Sequence, residues 1–515
     1  MMHKLMRKLS LIFFIPFTVL CGLTLVVSLC TTIYYDTNQG ADLPRFGNQN
    51  FPVLIAGVVL FLFISRLLLR FENKRLFPVC VVLEAALCMT IILSVKATAV
   101  TDGLTLDNVI NAFNAGDYSS LEKGGYMFVY PFQIGYVCIG QILAHVFGPS
   151  NYFVYQLINL AAIILSIIYL HFITWELFEK NEVVVIYDVL SLLLFFLFSY
   201  VTYVYNDVWS FAPGIMALYY EILYLKREKA GYGVAAAVCL GIACLLKTNL
   251  YIALIAMVIL LWVSLWNDHL LWKNRDRVNT KIRENLKTDI ILTFLFVIAA
   301  IIPLKLLGSV YAEKAGLEEY PAGVPKTTYF AMAMQESEGE GGWYNGFNWN
   351  TYAENDFDAE KTNAAAKEAI SERLSEFADR PLHAGRFYFR KFMSQWADPT
   401  FVSIRNLELS SRHSDTDSAF AKSLVFGTWS KIFQGIMDIE HFLIFLGAFV
   451  FCVLTIKNKS LTNVQALIIV FIFGGMLFHE LWEGSSRYII RYYLCLMPFA
   501  AYGLGALITA KSANE

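Results

Sequence analysis

Apolar residues in this 515-residue chain recur in blocks of about twenty. A helix rising ~1.5 Å per residue needs that length to cross a hydrocarbon slab ~30 Å thick. The blocks predict an all-α polytopic membrane protein of about 12 transmembrane helices. They fall near 11–34, 52–69, 78–96, 151–174, 183–204, 208–225, 231–247, 248–266, 288–308, 437–456, 463–481 and 488–509. The chain is 57% apolar and 16% charged, against roughly half and a quarter in soluble domains. These values exclude a soluble enzyme, a secreted disulfide scaffold and a disordered chain. A net charge of −2 gives no reason to expect nucleic acid. The opening MMHKLMRKLS has the charge of a signal peptide, but the apolar run after it is too long and lacks a small-residue cleavage pattern, so it reads as a retained span. Eight of the nine cysteines lie in apolar blocks, none at a zinc-site spacing, and they read as lipid-compatible filler.

Lysine and arginine assign the sides. With the N-terminus inside, the inner segments carry twenty, among them Lys4, Arg66, Arg70, Lys180, Lys226, Lys273, Arg275, Arg277, Lys457 and Lys511. The short outer loops carry only Arg45, Lys123 and Arg487 clear of the span ends. Both termini are therefore expected to be cytoplasmic. Three polar pieces then lie outside: a loop at 97–150, a segment at 309–436 and a turn at 482–488. The chain divides into an N-terminal transmembrane region (1–308) carrying the outer loop, a mixed extracytoplasmic domain (309–436) and C-terminal transmembrane helices (437–515).

In the first outer loop, Leu106, Val109, Ile110 and Phe113 form the i, i+3, i+4, i+7 stripe of an amphipathic helix. It is too short and polar to span, so an interfacial position is expected, with Gly116-Asp117 ending it. The stretch from Tyr130 to Phe147 is read as a second interfacial helix, because a span there would invert every later loop. Asp102 sits where the third span reaches the outer surface, with Asp107 and Asp117 farther along. On residue chemistry alone, each is as readily a solvated carboxylate or a helix cap as a functional group.

The order of these pieces resembles the GT-C glycosyltransferases. An acid after a span is followed by an amphipathic helix, Gly116-Asp117-Tyr118, Tyr130-Pro131-x-Gln133-x-Gly135 and Phe147-Gly148 before the next span. More closely, it looks like the branch of glycosyltransferase family 39, with the protein O-mannosyltransferases and the lipid A aminoarabinose transferase. YVYNDVWSFAPGIMALYYEIL resembles that branch's tyrosine–aspartate turn, GIACLLKTNLYIALIA its lysine-bearing hairpin, and HELWEGSSRYIIRYYLCLMP its closing acid-x-x-x-Arg-Tyr signature. The resemblance covers about 1–310 and 437–510; its acid here follows a two-span hairpin and precedes Gly103.

What the resemblance implies is an inverting transfer, at the outer membrane surface, of a sugar from a polyprenyl-phosphate donor to an acceptor hydroxyl. A carboxylate must take the hydroxyl's proton, and cations must meet the charge developing on the departing phosphate. Asp102 is the expected base, favoured over Asp107 by its spacing to Gly116-Asp117. Lys247, interrupting an apolar run, either snorkels or binds the phosphate. Glu483 and Arg487, at i, i+4, either pair on one helix face or serve the substrate. Arg491 lies one turn deeper, and Asp207 either caps its helix or touches the sugar. The loop GEGGWYNGFNW has aromatic faces suited to sugar stacking, and equally the make-up of a turn-rich surface loop. No cofactor is required, and no ligand motif supports a divalent cation. The acceptor class (glycan, polymer, lipid or protein) is open. The alternatives are a polyprenyl-linked glycan polymerase or ligase, from which arginines rather than an acid are expected in the decisive loop, and a 12-span lipid or sugar transporter, from which pseudo-repeats are expected.

Overall fold

The computed structural model describes residues 2–35, 42–272, 279–337, 339–412, 414 and 416–510. The inner-loop cations Lys273, Arg275, Arg277 and Lys511 lie outside the described residues. The chain is an all-α integral membrane protein. Among the described residues eight helices are long and apolar enough to cross a membrane singly, or up to eleven if each of three bent pairs is one span. Each of the twelve expected blocks coincides with an apolar helix. Two of them, 183–204 and 488–509, fall on bent pairs that turn by 47° and 59°, and two more fall on the shorter helices Ala230–Leu246 and Thr248–Ser264. The third bent pair lies in the loop 97–150, where Ser119–Val129 meets Pro131–Phe147 at 99°. Pro131 has no N–H to continue the first helix, and the chain turns there.

Helix starts are set by side chains that take up orphan N–H groups. Asn151 caps Tyr152–Phe178 through the N–H of Val154, and Thr462 with Gln465 forms a reciprocal capping box on Asn463–Leu481. Glycine sets one close helix contact. A Cβ on Gly447 would lie 2.2 Å from the Ala500 carbonyl oxygen, and one on Gly503 1.9 Å from that of Gly447. Small residues let the backbones of Thr428–Asn458 and Met497–Ala510 meet, as in other transmembrane packing.

Two features depart from the sequence reading. The first span ends at Cys30, and Thr31–Tyr35 pairs antiparallel with Pro44–Asn48 in a hairpin, Thr31 opposite Asn48. The β-branched run Thr31-Thr32-Ile33 favours strand over helix. The segment expected to be a mixed domain is helical: Lys326–Met332, Phe347–Glu354, Ala359–Asp379, Pro381–Trp396, Ser403–Ser411 and Ala419–Phe426. Its only strand-like contact among the described residues is one bridge between Trp343 and Gly484.

The segment covers one end of the bundle. Thr98 donates to the Ser410 carbonyl (3.1 Å), Val324 to that of Val129 (3.0 Å) and Gly484 to that of Gly342 (2.8 Å). At the opposite end Lys226 pairs with Glu176 (2.9 Å) and Glu179 (2.6 Å), beside the helix starts at Asn73 and Asn181. Lys226, one of the cations assigned to the inner segments, thus lies opposite the covered end.

Candidate functional site

Under the covering segment, five stretches far apart in sequence converge. At their centre is Asp207, in the first turn of Asn206–Arg227, its side chain fully buried. Its Oδ1 accepts from Lys247 Nζ at 2.8 Å and Arg491 Nη2 at 3.2 Å, and Arg487 Nε lies 3.7 Å from Oδ2. Lys247 reaches it because Ala230–Leu246 stops one residue earlier and the backbone at 247 is extended (φ −148°, ψ 111°). Arg487 and Arg491 share one face of Ser486–Leu494 as an i, i+4 pair. Three cations meet Asp207 in a cluster where no member is more than 16% exposed, and Glu483, whose carboxyl is acted on by Arg487 and Lys247, is a second carboxyl close by. Nε and Nη1 of Arg491 are buried without a partner among the described residues.

Tyrosines hold these cations without cancelling their charge. Lys247 Nζ lies 4.9 Å from the ring centre of Tyr205 and 5.6 Å from that of Tyr488. The Arg487 guanidinium lies 5.4, 5.5 and 5.1 Å from the rings of Tyr203, Tyr205 and Tyr488, and donates to the Tyr203 hydroxyl. The stretch is locked in place by Gln133. That amide donates to the Tyr205 hydroxyl (2.7 Å) and accepts from Asn206 Nδ2 (2.6 Å), which also donates to the Leu246 carbonyl (2.9 Å).

Asp102 occupies the first turn of Thr101–Asn114, is exposed, and has no hydrogen bond or ion pair among the described residues. Gly103 brings it to the site: a Cβ there would lie 2.3 Å from the Val204 carbonyl oxygen, so only glycine lets this helix start rest on the tyrosine stretch. The charge of Asp102 is felt by its neighbours. Burial raises the Tyr344 hydroxyl's pKa, with Glu483 and Asp102 adding to the rise. Burial also raises Glu483, where Asp102 adds to the rise and the Tyr488 hydroxyl, donating at 2.7 Å, opposes it.

The other expected residues fall in different places. Asp107 is buried and accepts from Ser150 Oγ (2.7 Å) and the Tyr152 hydroxyl (2.8 Å), tying its helix to the start of the next span. Asp117 is at the surface, accepting from the Ser119 N–H at 2.9 Å. Glu483 and Arg487 do not pair. Asn463–Leu481 ends before Glu483 and Ser485 is extended (φ −169°), so no helical register connects the two; Arg487 turns to Asp207 and Tyr203 instead. The glycine- and aromatic-rich loop packs beside this turn through the Trp343–Gly484 bridge, leaving Tyr344 57% exposed. Among the described residues no three His, Cys, Asp or Glu side chains gather in a way that could hold a metal ion.

A family model described as "Conserved hypothetical integral membrane protein" matches residues 5–506. The chain belongs to this family. No curated protein matches it in sequence. Among solved structures it is similar to the oligosaccharyltransferase of Archaeoglobus fulgidus. The apo form has 15% identity and a TM-score of 0.44, with 85% of this chain and 51% of that one covered. The form tethered to an acceptor peptide containing the NVT sequon has 16% identity and a TM-score of 0.43, with the same coverage. The chain thus spans about half the length of the structures it matches.

In this family member Tyr203, Tyr205 and Tyr488 fall within the tyrosine–aspartate turn and the Arg-Tyr signature of the sequence, but nothing local showed that they face Lys247 and Arg487. Lys391 reads as the wet face of an amphipathic helix. It is instead fully buried and donates to the carbonyls of Ala333, Glu480 and Trp482, each at 2.9 Å, pinning the covering segment to the bundle.

Proposed function

We propose that this protein is a GT-C-type membrane glycosyltransferase, in the manner of family 39, using a polyprenyl-phosphate-linked sugar on the extracytoplasmic face, with both termini cytoplasmic. The observation carrying the reading is the gathering of Lys247, Arg487 and Arg491 around Asp207, at the span ends where a lipid phosphate would lie, beside the uncommitted carboxylate of Asp102. The acceptor hydroxyl oxygen attacks the anomeric carbon and its proton passes to Asp102. The bond from that carbon to the phosphate oxygen breaks, and the electron pair leaves on the polyprenyl phosphate. Lys247, Arg487 and Arg491 meet that charge in a site where water is scarce and oriented charges act strongly. A single displacement inverts the configuration.

The experiment is transfer by the purified protein in proteoliposomes, from a radiolabelled polyprenyl-phosphate sugar to an acceptor extract. Release of free polyprenyl phosphate, lost with Lys247→Ala and Arg487→Ala, is expected. Labelled donor left intact across the common hexose and pentose donors contradicts the reading.

A further inference from the structure

We infer that Tyr344, with Tyr130 and Trp349, forms the acceptor subsite, and that the acceptor it takes is the end of a neutral glycan. The inference rests on the reading of the protein as a glycosyltransferase with Asp102 as its base. Tyr344 is 57% exposed, yet the chain is fastened on both sides of it. Before it, Trp343 is buried and donates from Nε1 to Ser394 Oγ at 3.0 Å, and the Gly342 carbonyl accepts from the Gly484 N–H at 2.8 Å. After it, Asn345 Nδ2 donates to Gln335 Oε1 at 3.3 Å, and Asn345 Oδ1 accepts from the Phe347 N–H at 3.0 Å. A ring held out in water between two anchored neighbours is preordered, and binding a ligand costs it little further freedom.

The ring is part of a wall. Its hydroxyl interacts with that of Tyr130, whose ring centre lies 6.1 Å from that of Trp349. Tyr130 and Trp349 are themselves partly exposed. The wall adjoins the candidate base. The Tyr130 carbonyl accepts from the Gln133 N–H at 3.2 Å, and the Gln133 side chain holds the Tyr205 hydroxyl. The helix start carrying Asp102 rests on Val204 of the same stretch through Gly103.

Three properties of this wall select the ligand. Ring faces are electron-rich and pack against the C–H faces of a sugar ring. The charges acting on Tyr344 are those of Glu483 and Asp102, so an acceptor carrying phosphate or carboxylate beside its reacting hydroxyl is repelled. Tyr344 belongs to the segment covering the end of the bundle, where a water-soluble acceptor arrives and the chains of a lipid do not. Lys247 and Arg487 lie over the rings of Tyr203, Tyr205 and Tyr488, which assigns those rings to the donor side and the Tyr344 wall to the acceptor side.

The test is transfer by the purified protein in proteoliposomes, from the radiolabelled polyprenyl-phosphate sugar to an acceptor extract split into three fractions. These are lipids, proteins, and protease-treated water-soluble glycans, the last divided on an anion exchanger. Label is expected in the glycans that the exchanger does not retain. With that fraction as acceptor, Tyr344→Ala is expected to raise the acceptor concentration for half-maximal rate about tenfold, the loss of one aromatic contact. The donor concentration for half-maximal rate is expected to stay the same. Tyr344→Phe, which keeps the ring, is expected to keep both values. Trp349→Ala is expected to shift the acceptor value in the same direction, and it carries the test if Tyr344→Ala does not fold. Label confined to proteins, lipids or retained anionic glycans overturns the inference and leaves the glycosyltransferase reading standing. So does an acceptor requirement that these variants leave unchanged, or a donor requirement that they raise instead. Donor left intact with every fraction overturns that reading, and the inference with it.

Discussion

Asp102 and Asp107 lie on one helix, five residues apart, and the fold treats them in opposite ways. Asp107 is buried, with two hydroxyls donating to one oxygen at 2.7 and 2.8 Å. Asp102 is exposed, unbonded among the described residues, and set against the tyrosine stretch by Gly103. A carboxylate that is buried and held by two hydroxyls is out of reach of a substrate hydroxyl. The comparison teaches that the candidate base is the acid the fold leaves uncommitted. Asp207 is a third case, fully buried and committed to cations.

The largest effect that would sharpen this contrast is on the cation side. Arg487→Ala should slow transfer by about 10²–10³-fold, the usual loss when one oriented transition-state donor is removed, and raise the donor concentration needed for half-maximal rate. Initial rates against donor concentration check it. An unchanged dependence would make Arg487 a mere partner of Asp207. Next, Asp107→Ala should destabilise the protein by about 1–3 kcal/mol, because the Ser150 and Tyr152 hydroxyls lose their acceptor, while the folded fraction keeps near-native turnover. Thermal unfolding in detergent, with rates normalised to folded protein, separates the two effects.

The spans were legible because a hydrocarbon slab imposes a length that few other constraints imitate. The lysine and arginine asymmetry grouped 97–150, 309–436 and 482–488 on one face, and the structure brings these three pieces to one end of the bundle. What was not legible depends on contacts remote in sequence. Of the two readings of Glu483 and Arg487, the ion pair came from i, i+4 spacing, a rule that presupposes one continuous helix, and the extended backbone at Ser485 removes that premise. The tyrosines around Lys247 and Arg487 come from residues 203, 205 and 488, and no periodicity links the first two to the last. Lys391 carried no sequence signal, because its three acceptors are carbonyls of residues 333, 480 and 482.

The smallest effect concerns Lys391. Burial pushes its pKa down to about 8, against the pull of Glu480 and Glu483. An unfolded lysine keeps its proton to about 10.4, so the folded chain gives this proton up first. Stability from this group therefore rises as the pH goes from about 8 toward about 10.4. Lys391→Met should lower stability by about 1–3 kcal/mol near neutrality, leaving three carbonyls without a donor, and should flatten that rise. Melting temperatures measured across this pH range check both.

The central claim, that Asp102 is the general base, is tested most directly by comparing Asp102→Asn with Asp107→Asn at matched expression. Sugar transfer and binding of the polyprenyl-phosphate donor are measured on the same preparations. The amide keeps the shape of the side chain, and asparagine caps a helix about as well as aspartate, so a merely structural Asp102 would tolerate it. The account predicts that Asp102→Asn loses about 10²–10⁴-fold in turnover while binding donor normally, and that Asp107→Asn keeps most of its turnover. Near-native turnover in Asp102→Asn contradicts the account. If Asp107→Asn is then the inactive variant, the base lies five residues along the same helix, in the carboxylate that Ser150 and Tyr152 already hold.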